Sequence, residues 1–183
     1  MDAVVRGCDV GLLAGEAGRQ VDGFDALYSQ HVTHAMQLAG LLCGSREQAE
    51  DAVAEAFSRV LPRWRAGAVE AFWPYLRIAV VNQLRGQARR DATELRRAPN
   101  ASAPQSTPPE DERVAERSRL AAALGELPAA QRHAVVLRYF EDLSEAEAAA
   151  LLGCSVGTVK SNASRGVARL RTLLADGEVS DDR

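Results

Sequence analysis

From Phe24 onward, apolar residues recur at three- and four-residue steps: Phe24, Leu27, Tyr28, Val32, Ala35, Leu38, Ala39 and Leu42. That spacing gathers them on one face of a helix, predicted to run to about Gly44. The period resumes at once with Ala49, Ala52, Val53, Ala56, Phe57, Val60, Leu61 and Trp64, while Glu47, Glu50, Asp51 and Glu55 fall off the stripe. Pro62 disturbs only the last turn of this second helix. After a glycine-containing loop at 65–69, a third helix is expected over about 70–90. It turns Trp73, Leu76, Ala79, Val80 and Leu84 inward and leaves Arg77, Arg85, Arg89 and Arg90 on a basic outer surface. Helices on such short loops form a compact antiparallel bundle, here of three to four helices over 23–90. Residues 1–22 carry no sustained period and read as a flexible arm.

The periodicity lapses over 91–112, where Pro99, Pro104, Pro108 and Pro109 cluster with Ser102, Ser106 and Thr107 ahead of Glu110, Asp111 and Glu112. This is a Pro/Ser-rich, acidic linker, and about 20 extended residues reach roughly 60 Å at ~3.1 Å each. Helical spacing returns with Val114, Leu120, Ala123, Leu124 and Leu127. Pro128 then suits the first turn of a helix whose apolar residues include Ala134, Val135, Leu137 and Tyr139.

The stretch from Leu143 to Leu174 is the most informative. Ser144 with Glu147 three residues later makes a capping box, in which each side chain satisfies an otherwise unpaired backbone donor. Ala148, Ala149, Leu151 and Leu152 give the helix that follows an apolar, mostly small-residue face. Gly153 supplies the left-handed conformation that ends it, and Ser155 can cap a second helix. Ala149 permits close approach of the two helices, with Gly153 four residues on and Val159 six beyond that, which is the spacing of a helix-turn-helix. Between Ser155 and Ala175 stand Lys160, Arg165, Arg169 and Arg171 and no acidic residue, a charge distribution suited to DNA phosphates. The expected fold is all-α: two small helical domains joined by the linker. The second is a four-helix unit at 113–175, and an acidic tail follows at 176–183.

Composition supports this picture, since alanine is abundant and aromatic residues make up only 5%. The formal net charge of −3 conceals segregation: residues 1–55 hold nine acidic and three basic side chains, residues 56–97 three and nine. Such asymmetry assigns one surface to a polyanion and another to a different partner. No apolar run approaches the ~18 residues needed to cross a bilayer, and the first 22 residues lack the order of a signal peptide, so a cytoplasmic protein with no membrane insertion is expected. Cys8, Cys43 and Cys154 are odd in number and widely spaced, which suits reduced thiols. An enzyme using His31 and His34 with Glu50, Asp51 and Glu55 as a metal site lacks a matching second pair of ligands. No metal, cofactor or catalytic residue is assigned.

Phe72, Trp73 and Tyr75 open the basic third helix, and aromatics beside arginines can stack unpaired bases while neutralising their phosphates. The same rings serve equally well as core anchors. Asn82, on that helix, has the two-pronged amide that reads a base edge.

Together these stretches resemble the extracytoplasmic-function (ECF) sigma factors, the small two-domain sigma subunits of bacterial RNA polymerase. AEDAVAEAFSRV at 49–60 resembles the family's polymerase-clamp-binding helix, and PYLRIAVVNQLRGQARR at 74–90 is similar to its −10 promoter helix. LPAAQRHAVVLRYFEDLSEAEAAALLGCSVGTVKSNASRGVARLR at 127–171 resembles its −35-reading domain. The resemblance implies that 23–90 is sigma region 2 and 113–175 sigma region 4. It further implies that Glu50, Asp51 and Glu55 dock on core polymerase, whose clamp and flap regions are the expected partner surfaces. Phe72, Trp73, Tyr75, Arg77, Asn82, Arg85 and Arg89 would meet the −10 element, with Asn82 near a pocket for a flipped base. Ser155, Thr158, Lys160, Ser161, Asn162 and Arg165 would meet the −35 element. Promoter DNA, as duplex and as melted single strand, and an anti-sigma protein complete the implied partners. Many relatives carry an arginine and a bulkier residue where Asn162 and Ala163 stand. The alternative is a stand-alone helix-turn-helix regulator, which would bind DNA without polymerase.

Overall fold

The computed structural model describes residues 10–95 and 112–178 of the chain, with side chains described for 23–88, 90 and 119–175. Every regular element among the described residues is helical. α1 spans Val10–Cys43, α2 Arg46–Arg65, α3 Phe72–Leu95, α4 Glu112–Gly125, α5 Ala129–Val135, α6 Glu145–Leu152 and α7 Val156–Glu178. α5 runs on into a π-helical turn at Val136–Phe140.

α1, α2 and α3 close around Leu38, Leu42, Val60, Leu76, Val80 and Val81, all essentially buried. Burying each of the leucines contributes about 1.5–3 kcal/mol. Ala35, Ala39, Ala49, Ala52 and Ala56 are fully buried between the larger residues, and their small side chains let α1 and α2 lie close. Ser45 caps α2 by accepting from the Gln48 amide at 3.4 Å. The second group, α4 to α7, packs on Leu124, Leu127, Ala134, Val136, Leu137 and Leu143 from its first half and Ala148, Val159, Ala163 and Leu170 from its second.

Several element ends differ from the sequence expectation. α1 begins at Val10, so backbone at 10–22 continues a helix where a flexible arm is expected; residues 1–9 lie outside the described residues. Residues 10–20 include Leu12, Leu13, Ala14, Glu16, Ala17, Arg19 and Gln20, good helix formers that offset Gly11, Gly15 and Gly18, and extending an established helix is far easier than nucleating one. α3 likewise runs past Arg90 to Leu95, and α7 enters the acidic tail as far as Glu178. Of the expected linker, residues 96–111 lie outside the described residues, as do 179–183 of the tail. Three residues assigned to apolar stripes are well exposed: Tyr28 (43%), Leu120 (42%) and Tyr139 (65%). Tyr139 stands in the π turn, where the wider winding breaks the 3.6-residue period that placed it inward.

Gly166 is a close approach that periodicity does not disclose. A Cβ at this position of α7 would stand 2.6 Å from Val135 Cγ2 and 3.3 Å from the Gln131 carbonyl oxygen, both on α5. Replacing it should therefore overpack the second core even though alanine favours helix. Gly166→Ala is expected to lower stability by about 1–3 kcal/mol in urea unfolding, whereas Gly157→Ala, which meets no close neighbour, should not.

Candidate nucleic-acid interface

The turn between α6 and α7 is built from local hydrogen bonds. Ser144 Oγ accepts from the Glu147 amide at 3.2 Å, and Glu147 Oε2 accepts from the Ser144 amide at 2.8 Å. These bonds hold the Glu147 carboxyl below its ordinary range. Gly153 takes φ +60, the left-handed conformation that a side chain would strain. Ser155 Oγ accepts from the Thr158 amide at 3.1 Å and caps α7. Val159 and Ala163 then anchor α7 in the core.

That anchoring leaves Ser155, Thr158, Lys160 and Arg165 exposed, with Ser161 and Asn162 half-buried. The polar atoms are satisfied locally: Ser155 and Thr158 hydroxyls lie 2.8 Å apart, Ser161 Oγ donates to the Thr158 carbonyl at 3.1 Å, and Arg165 folds back onto Ser161 Oγ at 3.1 Å. These are exposed contacts that a phosphate or base edge can replace at little cost.

The residues assigned to the −10 element are not all brought together. Phe72 turns toward α1 and α2, its ring 6.3 Å from Phe24, 6.1 Å from Phe57 and 5.3 Å from His31. Tyr75 faces Arg63, whose guanidinium lies 5.8 Å from the ring centre. Trp73 stacks on His31 and, at 4.2 Å between ring centres, on His34. In this conformation, then, these rings are packed against protein. Arg77, Asn82 and Arg85 do converge: with Leu143, Glu147, Leu151 and Gly153 they line a cleft of about 490 Å³ between α3 and α6. Arg89 lies further along α3, outside the residues whose side chains are described. Arg77, expected on a solvated outer surface, has a side chain only 15% exposed.

The reason is Glu141, which the sequence reading passed over. Its carboxylate, 1% exposed, accepts from Arg77 Nη1 at 3.4 Å, Trp73 Nε1 at 3.2 Å and His34 Nε2 at 2.9 Å. As a carboxylate it can only accept, so Nε2 of His34 is the donor. Arg85 makes a second bridge, donating Nη1 to the Leu151 carbonyl at 2.9 Å, at the electronegative end of α6. Glu141 sits in an acidic run, Glu-Asp-Leu-Ser-Glu, that resembles a solvated loop, and nothing local signals its partners up to 107 residues away.

Glu50, Asp51 and Glu55 are exposed on α2, where Glu50 pairs with Arg46 and Glu55 with Arg59, each at 2.8 Å. Neither pair holds its carboxylate firmly, because exposed i,i+4 pairs are weak. His31 and His34 are engaged with rings, and among the described residues no group of three His, Cys, Asp or Glu side chains could hold a metal ion. Cys43 and Cys154 are free thiols; Cys8 lies outside the described residues.

Two helical bundles, one carrying a capped helix-turn-helix with a basic second helix, define an all-helical DNA-binding protein. Sequence comparison is more specific. Residues 27–93 match the family model for sigma-70 region 2, and residues 117–170 match that for sigma-70 region 4. The RNA polymerase sigma-E factor of Streptomyces coelicolor is 38% identical over 129 residues, covering 69% of this chain and 71% of the relative. The ECF RNA polymerase sigma factor SigM of Mycobacterium tuberculosis is 33% identical over 171 residues, or 91% of this chain and 84% of the relative. Among solved structures, the sigma factor RpoE in complex with the anti-sigma factor NepR, from Bartonella quintana, has the same fold (TM-score 0.70, 24% identity, 84% of this chain and 97% of that one). The chain belongs to the extracytoplasmic-function sigma factors of RNA polymerase, and the reading as a stand-alone regulator gives way to it.

His133, which lines a second cleft between the bundles together with Arg85, generates a test of this arrangement. Burial first, then the Arg132 and Arg85 guanidiniums, push its imidazole down to about 4, against a hydrogen bond with the Leu42 backbone. The unfolded chain therefore binds the proton more readily. The stability that neutral His133 permits is complete above the unfolded value of 6.5 and falls as pH drops toward 4. The expected loss is about 3 kcal/mol at one pKa unit per ~1.4 kcal/mol. Urea unfolding at pH 7 and pH 4.5 should record part of this decline, and His133→Gln should make it shallower, the lowered Glu147 carboxyl adding a loss in the same direction.

Proposed function

We propose that this sigma factor directs core RNA polymerase to promoters through two separate DNA contacts and one protein contact. α7 enters the major groove of the −35 element with Ser155, Thr158, Lys160, Ser161, Asn162 and Arg165 at the base edges and phosphates. α3 meets the −10 element through Arg77, Arg85 and Arg89 on the backbone. Asn82 and the rings of Phe72, Trp73 and Tyr75 receive the melted strand. Duplex opening then consists of extruding a base at the expense of new phosphate and stacking contacts, without covalent chemistry. The exposed carboxylates Glu50, Asp51 and Glu55 dock on the polymerase clamp.

The observation that carries this reading is the α6–α7 turn, where two side-chain caps and a left-handed glycine present a helix with four cations and no acid before Asp176. An anti-sigma protein is a further partner. The apolar cleft lined by Leu41, Leu124, Val135, Val167 and the exposed Tyr139 and Phe140 supports it, as an unpaired apolar surface of the kind that protein partners cover. The work is done in the cytoplasm, and no helix among the described residues is long and apolar enough to cross a membrane.

The test is transcription by purified core polymerase with and without this chain on a library of duplexes, sequencing the RNA 5′ ends. Transcripts that depend on the chain and share two upstream motifs are expected. Sequence-specific duplex binding by the chain alone, without dependent transcripts, would overturn the proposal. Lys160→Ala is expected to weaken promoter binding by the holoenzyme on all sequences alike and to reduce the salt slope by about one. Asn82→Ala should leave −35 binding intact while lowering strand opening, read by permanganate reactivity of unpaired thymines.

A further inference from the structure

Ile78 leaves 44% of its surface exposed on the side of α3 turned away from its own core. Leu76, Val80, Val81 and Leu84 take the buried side of the helix, while Tyr75, Ile78, Asn82 and Arg85 succeed one another at three- and four-residue steps along the other. Single apolar residues on a surface are common, and what distinguishes this one is its company. Among the described exposed residues of α3, Pro74, Ile78, Asn82, Ala88 and Arg90, it is the one large aliphatic side chain. Asn82 lies one turn beyond it, and both line the same cleft as Arg77 and Arg85.

Resting on the promoter reading above, we propose that Ile78 is the wedge of strand opening. Its side chain enters the base step beside the base that Asn82 receives and keeps that step unstacked.

Extruding a base costs the stacking on both its faces, and an apolar group inserted there keeps the neighbouring bases from closing the gap. The flanking guanidiniums of Arg77 and Arg85 supply the phosphate contacts that such an insertion requires on either side. The spacing fits as well. Four residues of helix rise about 6 Å at ~1.5 Å each, and two bases with one group between them stand roughly 7 Å apart, twice the ~3.4 Å of a stacked step. Isoleucine is branched at Cβ and holds essentially one rotamer in a helix, so it enters the stack stiff and with little further loss of freedom. The rings at the start of α3 are each engaged by other side chains, which leaves Ile78 as the apolar group already presented beside Asn82. Leu143 and Leu151 share the cleft, so the competing role for Ile78 is plain packing between the bundles.

The holoenzyme of core polymerase and full chain separates the two roles on a promoter recovered in the transcription assay. One template is fully paired, and the other has its −10 element already opened by mismatches. With Ile78→Ala, open-complex formation on the paired template, followed by permanganate reactivity of unpaired thymines, is expected to slow roughly tenfold, the scale of one lost base contact. Transcription from the pre-opened template should match the parent, and Ile78→Leu should restore most of the opening rate. A packing defect, by contrast, lowers activity on both templates alike. The proposal is overturned if Ile78→Ala opens the paired template as fast as the parent, or if its loss is equally large on the pre-opened one. A parent that initiates on neither template strikes the promoter reading itself, and the wedge falls with it.

Discussion

A carboxylate taken out of water has to be met by donors, and in this chain that demand falls on Glu141. Breaking a buried ion pair by removing one partner typically costs 3–5 kcal/mol, and the 3.4 Å reach from Arg77 puts this pair toward the weaker end. The π turn makes the placement possible. Its wide winding lets the Glu141 amide reach back to the Val136 carbonyl, and Asp142 then takes φ +50, a conformation that aspartate tolerates better than most side chains. Leu143 follows, buried in the second core, with Arg138 donating to its carbonyl, and Ser144 begins the capping box one residue later. One short loop thus sets the buried carboxylate and the start of the helix-turn-helix together, so the DNA reader is oriented relative to α3 by the same residues that join the bundles.

What the sequence made legible is what local chemistry determines. The Ser144–Glu147 box, the left-handed Gly153 and the Ser155 cap each depend on residues within four positions, and all three take the form that their residue types require. The helical cores were legible for a related reason: a stripe such as Leu38, Ala39, Leu42 or Leu76, Val80, Leu84 needs only a helix and something to cover it. Two family-model matches in the order region 2 then region 4 are consistent with those patterns, and the all-helical fold agrees with them.

The rest was hidden because it depends on partners far along the chain or on departures from ideal winding. Tyr139 fits an apolar period that the π turn breaks. Gly166 looks like an ordinary, slightly unfavourable helix residue until α5 lies across it. The three aromatics of α3 left two readings open, base stacking or core, and the structure engages each differently: Phe72 among rings, Trp73 against histidines, Tyr75 under Arg63. Arg77 belongs by period to an outer surface, and it does face outward from its own bundle. The surface it faces is the other bundle.

The position of Arg77 therefore depends on how the two bundles meet. The cores of the two bundles are built from alanine, leucine and valine and do not need each other for polar satisfaction. The hydrogen-bonded bridges between them are Glu141 with three donors, Arg85 with a carbonyl and His133 with the Leu42 backbone, and beside these the His34 and Phe140 rings meet and the buried apolar residues of both bundles form one continuous cluster. The polar part of this seam exchanges for water with a small net change in free energy, whereas its apolar part holds the bundles together through the surface it keeps from water. Arg77 and Arg85 are engaged here by a carboxylate and a carbonyl, oxygen acceptors of the kind that a phosphate also supplies. On the promoter reading proposed above, the cations that join the bundles are also those assigned to DNA, so these protein contacts and a polyanion would compete for one set of charges.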